Sequence, residues 1–269
     1  MSETQLEEVI RSVRSGKRYR SINEGLVRRL AASELAKGRR EKEAIKAVRS
    51  KLHQIGGAYQ EVTIDYPHWQ TELNMLPGDL NDPALMDFCE RMMQLHTSTR
   101  ERLPILVDFF TQTLQSIAPI DSVLDLACGL NPLALPWMPL TEDAAYLACD
   151  IYDDMIAFVG SFLDHTDISG SANNCNLVED IPSKPVQLAL LLKTLPCLEQ
   201  LDKDIALPLL QGINAQHLLI SFPSQSLTGR RDKGMLQNYE TRFRELIKEL
   251  DWHYQRFEFP GELAFLINL

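Results

Sequence analysis

The chain has little of what marks a metal centre, a disulfide framework or a membrane span. Its five cysteines (Cys89, Cys128, Cys149, Cys175 and Cys197) form no C-x-x-C pair and have no histidine at ligand spacing. That excludes a disulfide scaffold and a zinc site, and the thiols read as reduced and mostly buried. No apolar run approaches the roughly 18 residues of a membrane helix, and the polar, charged N-terminus is unlike a secretory signal; the expected location is the cytoplasm. There is no internal repeat and no low-complexity tract. With 13 glycines in 269 residues, the chain also lacks the triple-glycine fingerprint that cradles a dinucleotide pyrophosphate.

Net basic charge is missing from the whole, which carries -10, but not from every part. Residues 1–51 hold 14 of the 27 Lys and Arg against 7 acids; residues 52–269 hold 13 against 30. Affinity for a phosphate backbone depends on local basic surface and not on the total. A basic helical face can equally be solvated and nothing more.

The first 112 residues predict a helical, basic domain. Leu6, Val9, Ile10 and Val13 fall at helical spacing, as do Leu26, Val27, Leu30 and Ala31, and Ala44, Ile45, Val48 and Leu52. Gly16, Gly38 and Gly56-Gly57 mark breaks, 65–83 reads as a loop with three prolines, and a helical pair interrupted near Pro104 fills 83–113. From 113 to 269 the texture changes to β-α alternation, which predicts an α/β fold with a mainly parallel sheet. Strands are expected at 122–127, 145–149, 176–178, 186–192 and 217–222, and helices at 153–163, 198–211 and 235–250. A closing antiparallel hairpin covers 252–259 and 263–269. This order fits a Rossmann-like methyltransferase sheet better than a dehydrogenase.

The most informative stretch is VLDLACGLNPLAL, Val123 to Leu135: a strand, a turn with an acid and one glycine, and a helix start. Asn131-Pro132 stand where a pyrophosphate cradle would have more glycine. The turn therefore points to S-adenosylmethionine, a nucleoside cofactor with no phosphate to approach. Asp125, Asp150 and Asp180 lie in or just after successive strands, on the edge where open α/β sheets bind ligands. Asp150 follows Gly129 at the spacing of a ribose acceptor, and Asp180 suits an adenine amino group; each also suits a helix N-cap. The run LHTSTRERL places His96, Arg100 and Arg102 ahead of the sheet, where a guanidinium can grip a carboxylate or simply line a solvated helix. Lys193 ends an apolar strand and reads equally as functional or as solvent-seeking. The segment SFPSQSLTGRRDKGM, Ser221 to Met235, has the hydroxyls and bases of a loop that holds a phosphate or a base edge.

These motifs, in the same order and with KRYR (17–20) and KLHQIGGAY (51–59) ahead of them, resemble the aminoglycoside-resistance 16S ribosomal RNA methyltransferases that act on guanine N7 in the decoding site. The resemblance runs from about Lys17 to the C-terminus, and DLACGLNP is its most distinctive part. It implies a S-adenosylmethionine-binding domain behind a helical domain that docks on the assembled 30S subunit, with the chain working as a monomer. Carried over by position, Arg102 meets the methionine carboxylate, Ala127 and Gly129 form the turn beneath it, Asp150 with Ile151 takes the ribose, and Asp180 with Ile181 the adenine. His96, Asp125 and Lys193 complete the cofactor set. Lys17, Arg18, Arg20, Arg28, Arg49 and Lys51 track rRNA phosphates. Ser221, Arg230 or Arg231, and Met235 hold the flipped guanine, and Lys233 also binds the RNA. The loop departs from the family pattern at Gln225 and Thr228 and is one residue longer before Met235, which leaves open which arginine takes the base.

Guanine N7 offers an unprotonated in-plane lone pair, so methyl transfer to it requires no general base and no residue is expected to act as acid or base; Lys193, Arg230 and Arg231 are expected to position. Two alternatives stay open on the residues: a small-molecule methyltransferase whose helices form a lid, and a non-catalytic S-adenosylmethionine- or ribosome-binding module.

Overall fold

In the computed structural model, all residues are described except Met1, Ala58, Glu61, 225–232, Glu249 and Asp251; of 233–236 only the backbone is described. The three apolar stripes of the N-terminal region pack against one another on α1 (Glu3–Arg14), α2 (Glu24–Ala36) and α3 (Glu41–Leu52). Ser2 and Asn23 start the first two helices by accepting from free backbone N–H groups. Gly56-Gly57 does not break the chain there: α3 runs on through a π-helical turn, His53–Gly57. A Cβ on Gly56 would lie 2.5 Å from the Tyr152 hydroxyl, so glycine lets this turn seat against the sheet domain.

The segment expected as a loop contains α4 (Tyr66–Leu73), capped by Asp65, with Pro67 in the first turn where no N–H is needed. The pair expected beyond it is three helices, α5 (Pro83–Met93), α6 (Thr97–Arg102) and α7 (Leu106–Leu114), with a tight 3-10 turn at Pro104.

One seven-stranded sheet follows: β1 (Ile120–Leu126), β2 (Leu140–Asp150), β3 (Ser169–Asn174), β4 (Val186–Leu192), β5 (Ala215–Pro223), β6 (His253–Phe259) and β7 (Glu262–Asn268). Their spatial order is β3-β2-β1-β4-β5-β7-β6, parallel except for β7, which runs antiparallel to β5 and β6. The central stretches of β1, β4 and β5 are buried and mostly apolar because both faces are covered. One core joins the helical region to one face of the sheet. The other face is covered by α9 (Leu195–Leu201), α10 (Ala206–Gly212) and α11 (Lys233–Ile247).

Three further expectations need correction. The third strand is not 176–178 but the polar run 169–174, an edge strand whose register is set by β2, with Asp150 opposite Asn174. The helix expected at 198–211 is split, because Asp202 is extended and its carboxylate accepts from Asp204 N–H. After Gly129 the chain forms a proline-bounded 3-10 segment, Asn131–Trp137, in place of an α-helix start. The helix after β2, α8 (Asp153–His165), lies as expected. Among the described residues no helix is long and apolar enough to cross a membrane.

Candidate cofactor cleft and the charged strand ends beside it

The C-terminal ends of β1, β2 and β4 surround a cleft whose empty space, open mouth included, is about 750 Å³. Its floor is built from left-handed backbone: Ala127, Gly129 and Lys193 have φ of 51°, 54° and 58°, strained at Ala127 and Lys193 and free of strain at the glycine. Such conformations persist only where the surroundings over-determine them. At Gly129 a side chain is also excluded by space, since a Cβ would lie 2.9 Å from His96 Cε1.

Asp150 sits on this floor, held by backbone alone. Gly129 N–H donates to its Oδ2 at 3.0 Å and Ile151 N–H to its Oδ1 at 2.7 Å. Burial pushes the carboxyl up to about 6, and the backbone donors only partly offset this. The carboxylate keeps acceptor capacity for a further donor. His96 closes one side, its Nδ1 3.0 Å from Ser98 Oγ and its ring stacked on Tyr59. Burial, followed by the nearby Arg100, Arg102 and Lys193, lowers it to about 4, so the imidazole is neutral at physiological pH. Ile151, Met155, Leu177, Val178, Leu198 and Leu201 supply apolar walls. The helical region contributes Leu26, Ile55, Gly56 and Tyr59, the last with its hydroxyl 3.0 Å from Cys197 Sγ.

Next to the cleft, the ends of β4, β5 and β7 meet at a buried ionic cluster centred on Glu262. Arg102 donates through Nη2 at 2.6 Å and Nε at 3.2 Å, Ser221 Oγ donates at 2.6 Å, and Lys193 Nζ lies 3.3 Å away. Burial pushes Glu262 up, but Arg102 and Lys193 together outweigh it and hold the carboxyl below its ordinary value. Lys193 Nζ also pairs with Glu101 at 2.8 Å. Arg102 continues the network through Nη1 to Asn131 Oδ1 at 3.0 Å, and Asn131 and Tyr146 both donate to Asp125 Oδ2.

A sequence model of the family described as ribosomal RNA methyltransferase (FmrO) matches residues 14–266. The chain belongs to this family. It is 34% identical over 99% of its length to the 16S rRNA (guanine(1405)-N(7))-methyltransferase of Micromonospora echinospora, covering 97% of that protein. Its structure is similar to that of the 16S rRNA methyltransferase RmtF in complex with S-adenosyl-L-homocysteine (TM-score 0.81, 31% identity, 100% of this chain and 99% of that one). It is also similar to the 16S rRNA methylase RmtB (TM-score 0.80, 26% identity, 98% of each chain).

As an rRNA methyltransferase the chain uses S-adenosylmethionine, and the cleft fits that cofactor on its own features. A buried carboxylate with no cation bonded to it suits ribose hydroxyls, and the apolar walls suit a purine. The neutral His96 adds no positive charge near a sulfonium. Ala127, Gly129, Asp150, Ile151, His96 and Lys193 all line the cleft. Other residues of the expected cofactor set do not. Asp180 is exposed beyond the cleft, and Ile181 packs against α10 at Gly212, because β3 ends six residues before Asp180 and Cys175 to Val178 take the strand-end place. Asn176, in that stretch, is a buried residue the sequence reading missed; its Nδ2 has no hydrogen-bond partner. Asp125 is fully buried below the floor, with burial raising it to about 6, and it serves Asn131 and Tyr146. Arg102 is directed to Glu262 and not into the cleft.

On the target side, Arg230 and Arg231 lie outside the described residues, as do the side chains of Lys233 and Met235 at the start of α11. Ser221 corrects its expected role: it is wholly buried and its hydroxyl is committed to Glu262, so it braces β5 and does not face a base. Glu262 was not singled out in the sequence; an acid opening the otherwise apolar strand ELAFLIN is the signal that could have found it.

The basic surface of this methyltransferase divides in two. Lys17, Arg18 and Arg20 are exposed on the turn between α1 and α2. Arg28 is paired with Glu7 at 2.6 Å and Glu3 at 3.3 Å, Lys51 with Glu34 at 2.8 Å, and Arg49 donates to Ser12 O while lying over Tyr19. These last three, also expected to track phosphates, are engaged within the helical bundle.

Proposed function

We propose that the chain transfers a methyl group from S-adenosylmethionine to guanine N7 of 16S rRNA, at the position named for its relatives, within the assembled 30S subunit, and so gives aminoglycoside resistance. The observation that carries this is the full-length match: 99% of the chain aligns with a 16S rRNA (guanine(1405)-N(7))-methyltransferase, so the likeness includes the basic helical region as well as the cofactor domain. The exposed Lys17, Arg18 and Arg20 supply an RNA-facing surface on an otherwise acidic molecule. The protein acts as a monomer, one exposed basic turn meeting one subunit.

When bound, the cofactor supplies a methyl group activated by a positively charged sulfur. A new bond forms from N7 to carbon as the sulfur-carbon bond breaks; the electron pair returns to sulfur, and the positive charge passes to the purine. No proton moves at N7, and the titratable groups around the cleft agree with that demand: His96 is neutral and Lys193 is tied to Glu101 and Glu262. The protein's work is positioning. Asp150 fixes the nucleoside end, His96 and Gly129 fix the turn beneath the reacting end, and Glu262 holds Lys193 at the strand end beside it. The 221–235 segment, with Arg230 or Arg231 and Met235, would hold a guanine turned out of its stack.

Mapping 16S rRNA from cells expressing the chain tests this reading. A new N7-methylguanine at the position equivalent to 1405 is the expected result. Unmodified rRNA at that position, with methyl groups found elsewhere or on small molecules, would overturn it.

A further inference from the structure

The turn that carries Lys17, Arg18 and Arg20 is fastened to the cofactor cleft. It ends in a short antiparallel bridge between Ile22 and Tyr152. On either side, Asn23 N–H donates to Ile151 O at 2.7 Å and Asp153 N–H donates to Ser21 O at 2.7 Å. Ile151 and Tyr152 directly follow Asp150 and line the cleft.

Asn23 has two further holds. Its Oδ1 accepts from Leu26 N–H at 2.9 Å, which caps α2, and its Nδ2 donates to Asn174 Oδ1. Asn174 ends β3 opposite Asp150. Its own amide donates to Ile151 O at 3.1 Å and to Asp153 Oδ1 at 2.6 Å. One residue therefore joins the end of the basic turn, the start of a helix whose Leu26 lines the cleft, and the segment 151–153.

That segment matters because of how Asp150 is held. A carboxylate bonded only by backbone N–H groups is placed as well as that backbone is. The Ile151 peptide is gripped on both sides, its N–H on Asp150 and its carbonyl under Asn23 and Asn174. Disturbing the carbonyl's donors re-aims the segment that follows Asp150, with no contact to the cofactor needed. Ordering the basic turn from outside would act along the same path in the other direction.

We propose that Asn23 is a positioning residue for cofactor binding, and that through it rRNA docking on the 17–20 turn and occupancy of the cleft strengthen each other. Such coupling is reciprocal by thermodynamic necessity. The coupling rests on the reading that this turn meets rRNA; the positioning role does not.

The test uses Asn23→Ser, which keeps a capping acceptor for α2 and removes the amide, and Asn174→Ala, which removes the same bond together with the Asn174 donations to Ile151 O and Asp153 Oδ1, without touching the cap. Labelled S-adenosylhomocysteine is equilibrated with each protein, alone and with saturating 30S subunits, and 30S binding is measured separately without it. Each variant alone should bind S-adenosylhomocysteine about tenfold more weakly, at an unchanged unfolding midpoint, and the double variant should be no worse than the weaker single one. Wild type should bind it about five- to twentyfold more tightly on the 30S subunit. Asn23→Ser should lose that gain while its own 30S affinity, measured without cofactor, stays that of wild type. Wild-type affinity in Asn23→Ser overturns the positioning role. Equal wild-type affinity with and without bound 30S overturns the coupling. If wild type does not bind 30S at all, the docking reading fails and takes the coupling with it, while the RNA-free titration still decides the role of Asn23.

Discussion

Two buried carboxylates a few strands apart are held in opposite ways. Asp150, at the end of β2, is bonded by backbone N–H groups and meets no cation among the described residues. Glu262, at the start of β7, is enclosed by Arg102, Lys193 and Ser221. Burial raises the first to about 6, whereas the second is kept ionised by its partners in spite of burial. The difference separates a group that waits for a ligand from one that is already satisfied. Unused acceptor capacity belongs to the cofactor cleft; saturated charge belongs to the scaffold beside it.

The largest effect should come from breaking the saturated side. Glu262→Ala leaves Arg102 buried with its carboxylate partner gone and Lys193 with only Glu101, and removing one member of a buried ionic cluster costs about 3–5 kcal/mol. Urea unfolding should show that loss, with Glu262→Gln intermediate. On the cleft side, Asp150→Asn should leave the unfolding midpoint unchanged or raised, since an unpaired buried charge disappears. Affinity for S-adenosylhomocysteine by calorimetry should fall by roughly 10- to 100-fold, the worth of charge-assisted hydrogen bonds.

The same residue sets a pH dependence. The folded chain holds the Asp150 proton up to about pH 6, above the ordinary value of 3.8. Its contribution to stability is therefore present below pH 4 and is lost as pH rises through about 6. Cofactor binding that uses the ionised form runs the other way. Affinity should fall about tenfold for each pH unit below about 6, and Asp150→Asn should flatten that profile.

Gly129→Ala probes the floor both groups share. The left-handed φ and the contact with His96 should together cost about 1–2 kcal/mol of stability and weaken cofactor binding, with scanning calorimetry and titration as the checks. The smallest effects belong to the outer surface. Neutralising Lys17, Arg18 and Arg20 together should weaken 30S binding about tenfold and flatten its salt dependence, whereas Arg28→Ala should leave 30S binding within error of wild type. Equal losses in the two would erase the distinction between RNA-facing and bundle-bracing cations.

Legibility in the sequence followed the same division. β4 could be read to its end residues because Val186–Leu192 is apolar but for Gln187, and Asp150 and Gly129 could be read because their spacing reflects one strand-turn-strand unit. β3 was misplaced because an edge strand needs no apolar pattern, and SGSANN has none. That error carried Asp180 with it. The partner of Arg102 is 160 residues away in the chain, joined only when β7 enters the sheet antiparallel to β5. Local pattern holds no record of such a pairing. The same is true of Asn23, whose capping role is visible in sequence but whose grip on Ile151 is not.

Methyl transfer from S-adenosylmethionine to rRNA presented on the assembled subunit is tested most directly by incorporation of labelled methyl into intact 30S particles, with free nucleosides and small metabolites as parallel acceptors. Label in the 16S rRNA of the 30S particles, lost in Asp150→Asn and absent from the small acceptors, is the predicted result. Label in small acceptors with none in the 30S particle would contradict it.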